Sequence, residues 1–298
     1  MKCKNSLLAG VRRKKVNFGV GKFVFVSARD MAKARKVGEL LGFFYLDFSC
    51  QILNLFHMSK AVFFLSDAHL GAEEESRERL KEEKLISLFD KIKEEGEFLY
   101  LVGDMFEFWF EYKNAIPKDH FRILTILKQL VDFGIKINYL VGNHDFWLGD
   151  FLPQHIGIPI FKQPIEVAHQ GKRIFISHGD GLAKKDVGYR ILKKILRNKT
   201  NIFLYRQIPP DLSYPLAKFV AKRSRSQVQK RDKIYLEEYE NFAQAKIKQG
   251  FDAVILAHTH VPVLQDLGEG VYLNSGDWFQ HFTYGRLWEG KFYLESYA

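Results

Sequence analysis

Five short apolar runs, all between residues 61 and 257, dominate the pattern of hydrophobic and polar positions along the chain. Each run is followed at once by polar or charged residues. With those residues the segments read AVFFLSDAH, FLYLVGD, INYLVGNHD, RIFISHGD and AVILAHTH. Nearly continuous apolar runs are typical of strands that are buried on both faces of a sheet, whereas strands with one solvated face alternate. The pattern therefore predicts five buried strands.

Amphipathic segments separate several of these runs. In the segment from 75 to 95 the apolar residues recur at helical spacing, and Gly96 follows as a helix stop. The segments HFRILTILKQLVDFG and YLEEYENFAQAKIKQG show the same pattern. Strands that alternate with helices at this spacing predict an α/β architecture. The apolar positions of the first segment are Leu80, Leu85, Leu88, Phe89 and Ile92.

Residues 184 to about 240 depart from this alternation. Between the fourth and fifth runs the chain carries YRILKKILRNKTNIFLY, a turn with Pro209 and Pro210, and then LAKFVAKRSRSQVQKRDK. The segments on both sides of the turn are amphipathic and helical in pattern. We therefore predict a helical cap inserted into the α/β domain.

The pattern of the first 57 residues does not indicate a folded unit. MKCKNSLLAGVRRKKV is a weak targeting candidate, and LGFFYLDFSCQILNLF is a candidate interfacial helix broken by polar residues. The alternative is an N-terminal extension, or an upstream start codon, with the domain beginning at Met58. We favour this alternative because a strand run starts directly after Met58. The predicted organisation is an extension at 1–57, poorly ordered or outside the native domain, and a domain at 58–298.

Composition narrows the class of protein. Of the 298 residues, 47% are hydrophobic, which excludes a disordered chain. The two cysteines, Cys3 and Cys50, both precede Met58, so a disulfide framework is excluded and a thiolate metal site nearly so. This cysteine usage fits a reducing cytoplasm. No apolar stretch is long enough to cross a membrane as a helix.

The formal net charge of +10 is unevenly distributed. Lys and Arg outnumber Asp and Glu by eleven to three in residues 1–57 and by fifteen to three in residues 184–234. The rest of the chain is acidic. The excess of Lys and Arg is confined to these two segments, and such an excess does not by itself indicate nucleic-acid binding. We expect no nucleic-acid partner and infer no obligate protein partner.

Residues that bind metals or transfer protons end each of the five runs. Ligand sites gather at the carboxyl ends of strands in open α/β sheets, so these residues are expected to converge. H-x-H on a strand places both imidazoles on one face, because side chains repeat every two residues. Histidine, aspartate and asparagine without cysteine suit a divalent cation such as manganese, iron or zinc. The motifs are Asp67-x-His69, Gly103-Asp104, Gly142-Asn143-His144-Asp145, His178-Gly179-Asp180 and His258-x-His260.

Chance is the alternative explanation for each motif taken alone. Gly-Asp is common in turns, and the other short motifs also occur in loops without a function. All five motifs in one chain, each at the end of a strand run, argue against chance. The remaining histidines are assigned to surface or structural positions, His281 least firmly because it closely follows the fifth motif. They are His57, His120, His155, His169 and His281.

In this order the motifs resemble those of the calcineurin-like metallophosphoesterases, over about residues 58–285. The resemblance implies a four-layer αββα sandwich, with two sheets between helices and a dinuclear centre at the strand ends. It also implies two divalent ions, with manganese preferred and iron or zinc as alternatives. By motif, one ion would be held by Asp67, His69, Asp104 and His260, and the other by Asp104, Asn143, His178 and His258.

Two neighbouring cations repel each other and need a shared anionic ligand, which is the role that the resemblance gives to Asp104. The cations would lower the pKa of a water molecule and neutralise phosphate oxygens. The catalytic candidates are His144 and Asp145. His144 would steady phosphoryl oxygens or protonate the leaving group, and Asp145 would orient His144 or its loop.

Longer segments are similar to those of the UDP-2,3-diacylglucosamine diphosphatases of lipid A biosynthesis. They are LSDAHLG, LVGDMFEFWFEY, VGNHDFW, SHGDGLAKKDVGY and LNSGDWFQHFTY. The similarity implies hydrolysis of the pyrophosphate of UDP-2,3-diacylglucosamine to UMP and 2,3-diacylglucosamine 1-phosphate (lipid X). At position 144 the best-known members carry arginine instead of histidine. The predicted substrate contacts are Asn143, Asp186, His258, Arg223 and Arg225, and Lys222 is a further candidate; most of the cap lysines are expected to lie on a solvated helix face.

The cap would then bind acyl chains through apolar residues and anionic headgroups through basic ones, on the cytoplasmic face of the inner membrane. One alternative is a different metallophosphoesterase that acts on nucleotides or nucleic acid. Another is a scaffold protein on an inactive phosphoesterase fold, which is disfavoured because every predicted ligand is present. For Phe106, Phe108 and Trp109, core packing and substrate contact are equally open.

Overall fold

The computed structural model describes residues 14–17, 22–25, 60–183, 187–228 and 232–297. The chain divides into two units, Met1–Met58 and Ser59–Ala298. In the first unit the described residues form an antiparallel pair of strands, β1 (Lys14–Asn17) and β2 (Lys22–Phe25). The assignment of residues 1–57 to an extension outside the native domain stays a prediction.

A six-stranded sheet in the second unit contains the first three predicted strands. Its members are β3 (Ala61–Leu65), β4 (Gly96–Val102), β5 (Lys136–Leu140), β6 (Ile160–Phe161), β12 (Thr283–Trp288) and β13 (Lys291–Ser296). The order across the sheet is β13-β12-β3-β4-β5-β6. Strands β3 to β6 are parallel, and β12 and β13 are antiparallel additions at one edge.

A five-stranded sheet contains the other two predicted strands. Its members are β7 (Ile165–His169), β8 (Lys172–Ile176), β9 (Ala253–Leu256), β10 (Val263–Asp266) and β11 (Val271–Asn274). The order is β10-β11-β9-β8-β7, with β8, β9 and β11 parallel and an antiparallel strand at each edge. All five apolar runs are therefore strands, as the pattern predicts.

Helices occupy most of the segments between these strands. They are α1 (Glu75–Glu95), α2 (Phe121–Phe133), α3 (Val187–Leu196), α4 (Lys199–Tyr205), α5 (Pro210–Val228) and α6 (Asp232–Ile247). A 3-10 turn at Lys118–His120 precedes α2, and a π-helical turn spans Leu152–Ile156. Across the described ranges, none of the helices combines the length and the apolar composition that crossing a bilayer requires.

Alternate residues of the buried strands separate the core into layers. In β3, Phe63 and Leu65 pack in one cluster with residues of α1 and α2, whereas Val62 and Phe64 pack against the five-stranded sheet. The opposite face of that second sheet packs against α6, around Tyr239. The resulting order is helices, sheet, sheet, helix. This is the four-layer αββα sandwich that the resemblance implies.

Helix α1 buries a face that differs by one position from the apolar pattern. Leu85, Leu88, Phe89 and Ile92 are buried, but Leu80 is 47% exposed, so its assignment to the apolar face was wrong. Lys81 is fully buried beside it. Its ammonium group donates a hydrogen bond to the His69 carbonyl and pairs with Glu78, which replaces the lost hydration. Contact with a motif loop therefore outweighs the hydrophobic pattern at this turn.

The helices α3, α4 and α5 follow β8 and precede α6, within the segment predicted to be a cap. Tyr205 of α4 and Tyr214 of α5 join this segment to the loop after β4, because both rings contact Phe108 and the Tyr214 hydroxyl donates to the Phe110 carbonyl. Many large apolar residues of α3 to α5 are nevertheless exposed. They include Ile191, Leu192, Ile195, Phe203, Leu204, Leu212, Leu216, Phe219 and Val220.

Candidate metal centre

The loops that follow β3, β4 and β9 are joined by backbone hydrogen bonds, which place the motif residues together. The amide of Asp67 donates to the Gly103 carbonyl (3.1 Å), and that of His69 donates to the Asp104 carbonyl (3.0 Å). The amide of His258 donates to the Asp67 carboxylate over 3.1 Å. Parallel strands end at one edge, so these short links are sufficient to bring distant parts of the chain to a common point.

Left-handed backbone conformations are concentrated in these loops. Such conformations cost a non-glycine residue roughly 1–2 kcal/mol and persist where the surroundings impose them. Their presence at the motif residues indicates that side-chain placement, not local preference, sets the backbone. The φ values are 51° for Asp67, 45° for His69, 53° for Asp104, 71° for His258 and 58° for His260.

The structure corrects the prediction that His258-x-His260 lies on a strand with both imidazoles on one face. Strand β9 ends at Leu256, and the motif lies in the following loop with positive φ at both histidines. His260 groups with Asp67 and His69, whereas His258 groups with Asp104 and His178. The two imidazoles therefore belong to different candidate ligand groups.

The first candidate ion site lies among Asp67, His69 and His260. The Asp67 Oδ1 atom is 3.3 Å from His260 Nε2 and 3.8 Å from His69 Nε2, and the two histidine nitrogens are 3.2 Å apart. Asp67 and His69 are fully buried. Three donor atoms this close together, each of a type that binds divalent cations, form one side of a coordination shell.

The second candidate ion site lies around Asp104. His178 Nε2 is 3.2 Å from Asp104 Oδ2 and 3.3 Å from Asn143 Oδ1. His258 completes the group. Asp104 also groups with His69 and His144, so its carboxylate lies between the two sites. All seven residues predicted as metal ligands are thus brought together.

One buried oxygen supports the fit of a cation. Within the described residues, Asp67 Oδ1 is shielded from solvent and accepts no well-aligned hydrogen bond, although His260 Nε2 lies 3.3 Å away. A buried carboxylate oxygen without a partner is costly, and a divalent cation at this position would remove the cost. The complete donor set of aspartate, histidine and asparagine is one that manganese, iron and zinc accept.

The pKa values of three histidines at the site depend on burial and on the charge of Asp104. Burial lowers the pKa of His69 and of His258 to about 4, so both imidazoles are neutral and able to ligate at neutral pH. Burial acts on His178 in the same direction, but the Asp104 carboxylate outweighs it and raises the pKa of His178 to about 10. A cation that binds His178 must displace this proton.

The two catalytic candidates occupy different positions. His144 Nδ1 donates to the Glu107 carbonyl over 2.8 Å, and its ring stands edge-on to His69 at 4.6 Å between centroids. Asp145 does not contact the His144 side chain through any hydrogen bond that the structure describes. Its carboxylate accepts from the amides of Gly142 (2.7 Å) and Met105 (3.0 Å) instead. Of the two roles foreseen for Asp145, the structure favours orientation of the loop.

The predicted substrate contacts are only partly described. Asn143 and His258 lie in the centre, whereas Asp186 and the side chains of Lys222, Arg223 and Arg225 lie outside the described residues. Phe106 and Trp109 are fully buried in the core against α2, which favours packing for both. Phe108 is 6% exposed and packs on the cap residues.

The other histidines lie outside the three candidate ligand groups of the described residues. His281 donates from Nδ1 to Asp277 over 2.7 Å, as an ordinary structural pair. His120 is buried, and His169 bonds the Tyr100 hydroxyl. His57 lies outside the described residues.

Sequence reasoning missed a connection between the cap and the fourth motif. Asp180 pairs with Lys193 at 2.7 Å and with Arg197 at 2.8 Å, and the Arg197 guanidinium also lies over the Phe146 ring at 4.0 Å. Asp180 belongs to His178-Gly179-Asp180, so its motif was recognised but its partners on and just after α3 were not. These contacts hold α3 beside the candidate centre.

Gly142→Ala should weaken Mn²⁺ binding by at least about 10-fold, as disturbance around metal ligands commonly does. A Cβ atom at this position would lie 2.0 Å from Asp104 Oδ1, so the Asp104 carboxylate must move. Titration of the metal-free protein with Mn²⁺ by calorimetry measures the change. Gly188→Ala on α3 is the matched control, because no described atom lies within 4 Å of the added methyl group. Equal Mn²⁺ affinity in the two variants would contradict the prediction.

Comparison with known proteins shows what the chain is similar to. The model of the calcineurin-like phosphoesterase family matches residues 61–262. A Porphyromonas gingivalis protein named UDP-2,3-diacylglucosamine hydrolase is 30% identical over 251 residues, covering 78% of this chain and 95% of the relative. A Pseudomonas fluorescens protein of the same name is 30% identical and covers 73% and 87%. A solved archaeal phosphodiesterase aligns over 79% of this chain and 98% of its own, at 17% identity and a TM-score of 0.41.

Proposed function

This chain belongs to the calcineurin-like phosphoesterase family, and from that membership we propose that it hydrolyses the pyrophosphate bond of UDP-2,3-diacylglucosamine. The products would be UMP and 2,3-diacylglucosamine 1-phosphate. The observation that carries this function is the convergence of the other six predicted ligands around Asp104, in a chain similar to hydrolases of that name.

Two divalent ions, with manganese preferred, would be held by the two candidate sites. Asp67, His69 and His260 would bind one ion, and Asn143, His178 and His258 the other, with Asp104 between them. Such ions supply Lewis acidity and lower the pKa of water. The chain's own residues supply the placement: buried neutral imidazoles, an ionised Asp104 and backbone links that fix the loops.

His144 would act on the substrate from beside this centre. Its Nδ1 hydrogen is donated to the Glu107 carbonyl, so a role toward a phosphoryl oxygen or the leaving group would require a second proton on Nε2, which the imidazolium form carries. The side chain is 14% exposed, so a substrate can reach it. Asp145 would position the loop that carries Asn143 and His144.

The exposed apolar residues of α3 to α5 would bind the acyl chains, and exposed basic residues such as Arg190 and Lys194 would face anionic groups. Exposed apolar surface of this extent marks an interaction site in most proteins. We propose that the same face associates with the cytoplasmic side of the inner membrane.

The test is release of UMP from UDP-2,3-diacylglucosamine by the full chain with Mn²⁺ added. We expect UMP to form and to incorporate ¹⁸O from labelled water, because water would attack the α-phosphorus. UDP-N-acetylglucosamine, which lacks the long acyl chains, should be hydrolysed at least tenfold more slowly. Faster cleavage of single-stranded DNA than of the lipid nucleotide would favour the nucleic-acid alternative.

A further inference from the structure

We propose that Glu107 is a positioning residue of the metal centre, whose carboxylate orients the imidazole of His69 for ligation through Nε2. The inference rests on the metal centre proposed above and not on the identity of the substrate. Glu107 lies in the segment GDMFEFW, three residues after Asp104, and is not one of the predicted ligands.

The contact between the two side chains is short and buried. His69 Nδ1 lies 2.9 Å from Glu107 Oε2, and both side chains are at most 2% exposed. A carboxylate accepts hydrogen bonds only, so the hydrogen of the neutral imidazole must be on Nδ1. The Nε2 lone pair is then available on the side of Asp67 and His260, which lie 3.8 Å and 3.2 Å from it. A carboxylate that fixes a histidine in this way is a recurrent partner of metal ligands.

Backbone hydrogen bonds hold the two residues in register. The Glu107 amide donates to the Leu70 carbonyl, and the Leu70 amide donates to the Met105 carbonyl, each over 3.0 Å. The His69 carbonyl in turn accepts from the buried ammonium group of Lys81 over 2.9 Å. These bonds fix the backbone at His69 and at Glu107, so the carboxylate is held beside the imidazole.

His144 holds Glu107 from the other side. Its Nδ1 donates to the Glu107 carbonyl over 2.8 Å and lies 3.8 Å from Oε2. The Glu107 carboxylate therefore lies between two imidazoles whose rings are edge-on to each other. Because Glu107 is held at both its backbone and its side chain, it is suited to restrain the orientation of His69.

The charge of Glu107 also favours cations. Asp67 and Asp104 provide two negative charges for two divalent ions, and Glu107 adds a third buried carboxylate. In a site shielded from water, an additional nearby anion increases the affinity for positive ions. Removal of Glu107 should therefore weaken metal binding through both orientation and charge.

The test compares Glu107→Ala and Glu107→Gln with wild type, using metal-stripped full-length protein titrated with Mn²⁺ alone. Glu111→Ala is the matched control. Glu111 follows Glu107 by four residues, and its carboxylate accepts three backbone hydrogen bonds, from Gly149, Asp150 and Phe151, which lie outside the candidate ligand groups. Loss of Glu111 removes a structural carboxylate from the same loop without removing the contact to His69.

We expect Glu107→Ala to weaken the binding of at least one Mn²⁺ ion by about 10- to 100-fold. Glu107→Gln should lose less, because the amide oxygen still accepts a hydrogen bond but carries no charge. Glu111→Ala should lower the melting temperature and leave the Mn²⁺ affinity within about twofold of wild type. High Mn²⁺ concentrations should restore phosphoesterase activity to Glu107→Ala, since its metal ligands are all present.

Wild-type Mn²⁺ affinity in folded Glu107→Ala would overturn the inference, as would an equal loss of affinity in Glu111→Ala. If Glu107→Ala does not fold, Glu107→Leu decides, because leucine fills a similar volume but offers no acceptor to His69. Wild-type affinity in that variant overturns the inference. A Mn²⁺ titration contains no substrate. Failure of the UMP assay together with a positive titration would therefore reject the substrate and keep Glu107 as a positioning residue.

Discussion

Replacing Asp104 with alanine is expected to reduce hydrolysis of UDP-2,3-diacylglucosamine by at least about 10³-fold, equivalent to about 4 kcal/mol of transition-state stabilisation. Asp104 is 1% exposed and belongs to two of the three candidate ligand groups. Its carboxylate lies between the two candidate ion sites and would be the anion that they share. Without it the repulsion between neighbouring divalent ions is not compensated, so at least one ion should be lost.

The same variant should lose metal as well as activity. Metal analysis of protein dialysed against Mn²⁺ is expected to give two ions per chain for wild type and one or none for Asp104→Ala. Asp132→Ala is the control, because this aspartate lies on the exposed face of α2 and pairs only with Lys128 among the described residues. Turnover that survives Asp104→Ala at the wild-type rate would refute the dinuclear mechanism.

Replacing Asp145 with alanine should destabilise the protein by about 3 kcal/mol. The carboxylate is fully buried and accepts hydrogen bonds from the Gly142 amide, the Met105 amide and the Tyr139 hydroxyl. Alanine leaves these three buried donors without their acceptor, and each such loss costs about 1–3 kcal/mol. Relief of repulsion from Asp104, which together with burial raises the pKa of Asp145 to about 7, offsets part of the cost.

Urea denaturation of the metal-free proteins at neutral pH measures this effect, because a difference in Mn²⁺ affinity between the two proteins then does not contribute to the difference in stability. The control is Asp150→Ala, whose exposed side chain bonds Gln154, and it should change stability by less than about 0.5 kcal/mol. Equal stability of the Asp145 and Asp150 variants would show that the loop is held by other contacts. Asp145→Ala should also weaken Mn²⁺ binding, since Gly142 and Met105 lie beside Asn143 and Asp104 in sequence.

The strands were predictable because their signal is local. Each apolar run is long enough to be buried on both faces, and in β3 alternate residues meet two different layers. The pattern contains no information about which layer receives which residue. The layer that each residue of β3 faces depends on the pairing of β3 with its neighbours β12 and β4. These two neighbours are distant from each other in the sequence.

The grouping of potential metal-binding side chains was also predictable, since five motifs at five strand ends contain suitable donor types. The geometry of the fifth motif was not. Strand periodicity puts His258 and His260 on one face, but left-handed backbone at both residues turns their imidazoles toward different groups. Such conformations are unfavourable locally and are imposed by contacts with other loops.

The residues that support the centre carried no recognisable signal. Lys81 lies one position from Leu80 on α1, yet the lysine is buried against the His69 carbonyl and the leucine is exposed. In the sequence, Glu107 is a single polar residue in an aromatic segment. Only the structure shows that its carboxylate lies beside His69. Hydrogen bonds between segments far apart in the chain decided both positions.

The sequence by itself determined the α/β class, the strand positions, the helical segment after the fourth motif and the residues of the candidate metal centre, because hydrophobic periodicity and motif order are properties of neighbouring residues. The tertiary structure alone decided how those atoms are divided around Asp104, which carboxylates support them and how the cap is attached through Asp180. Those features depend on the packing of two sheets and their loops, and the energy of such long-range contacts outweighs the local preferences that a sequence displays.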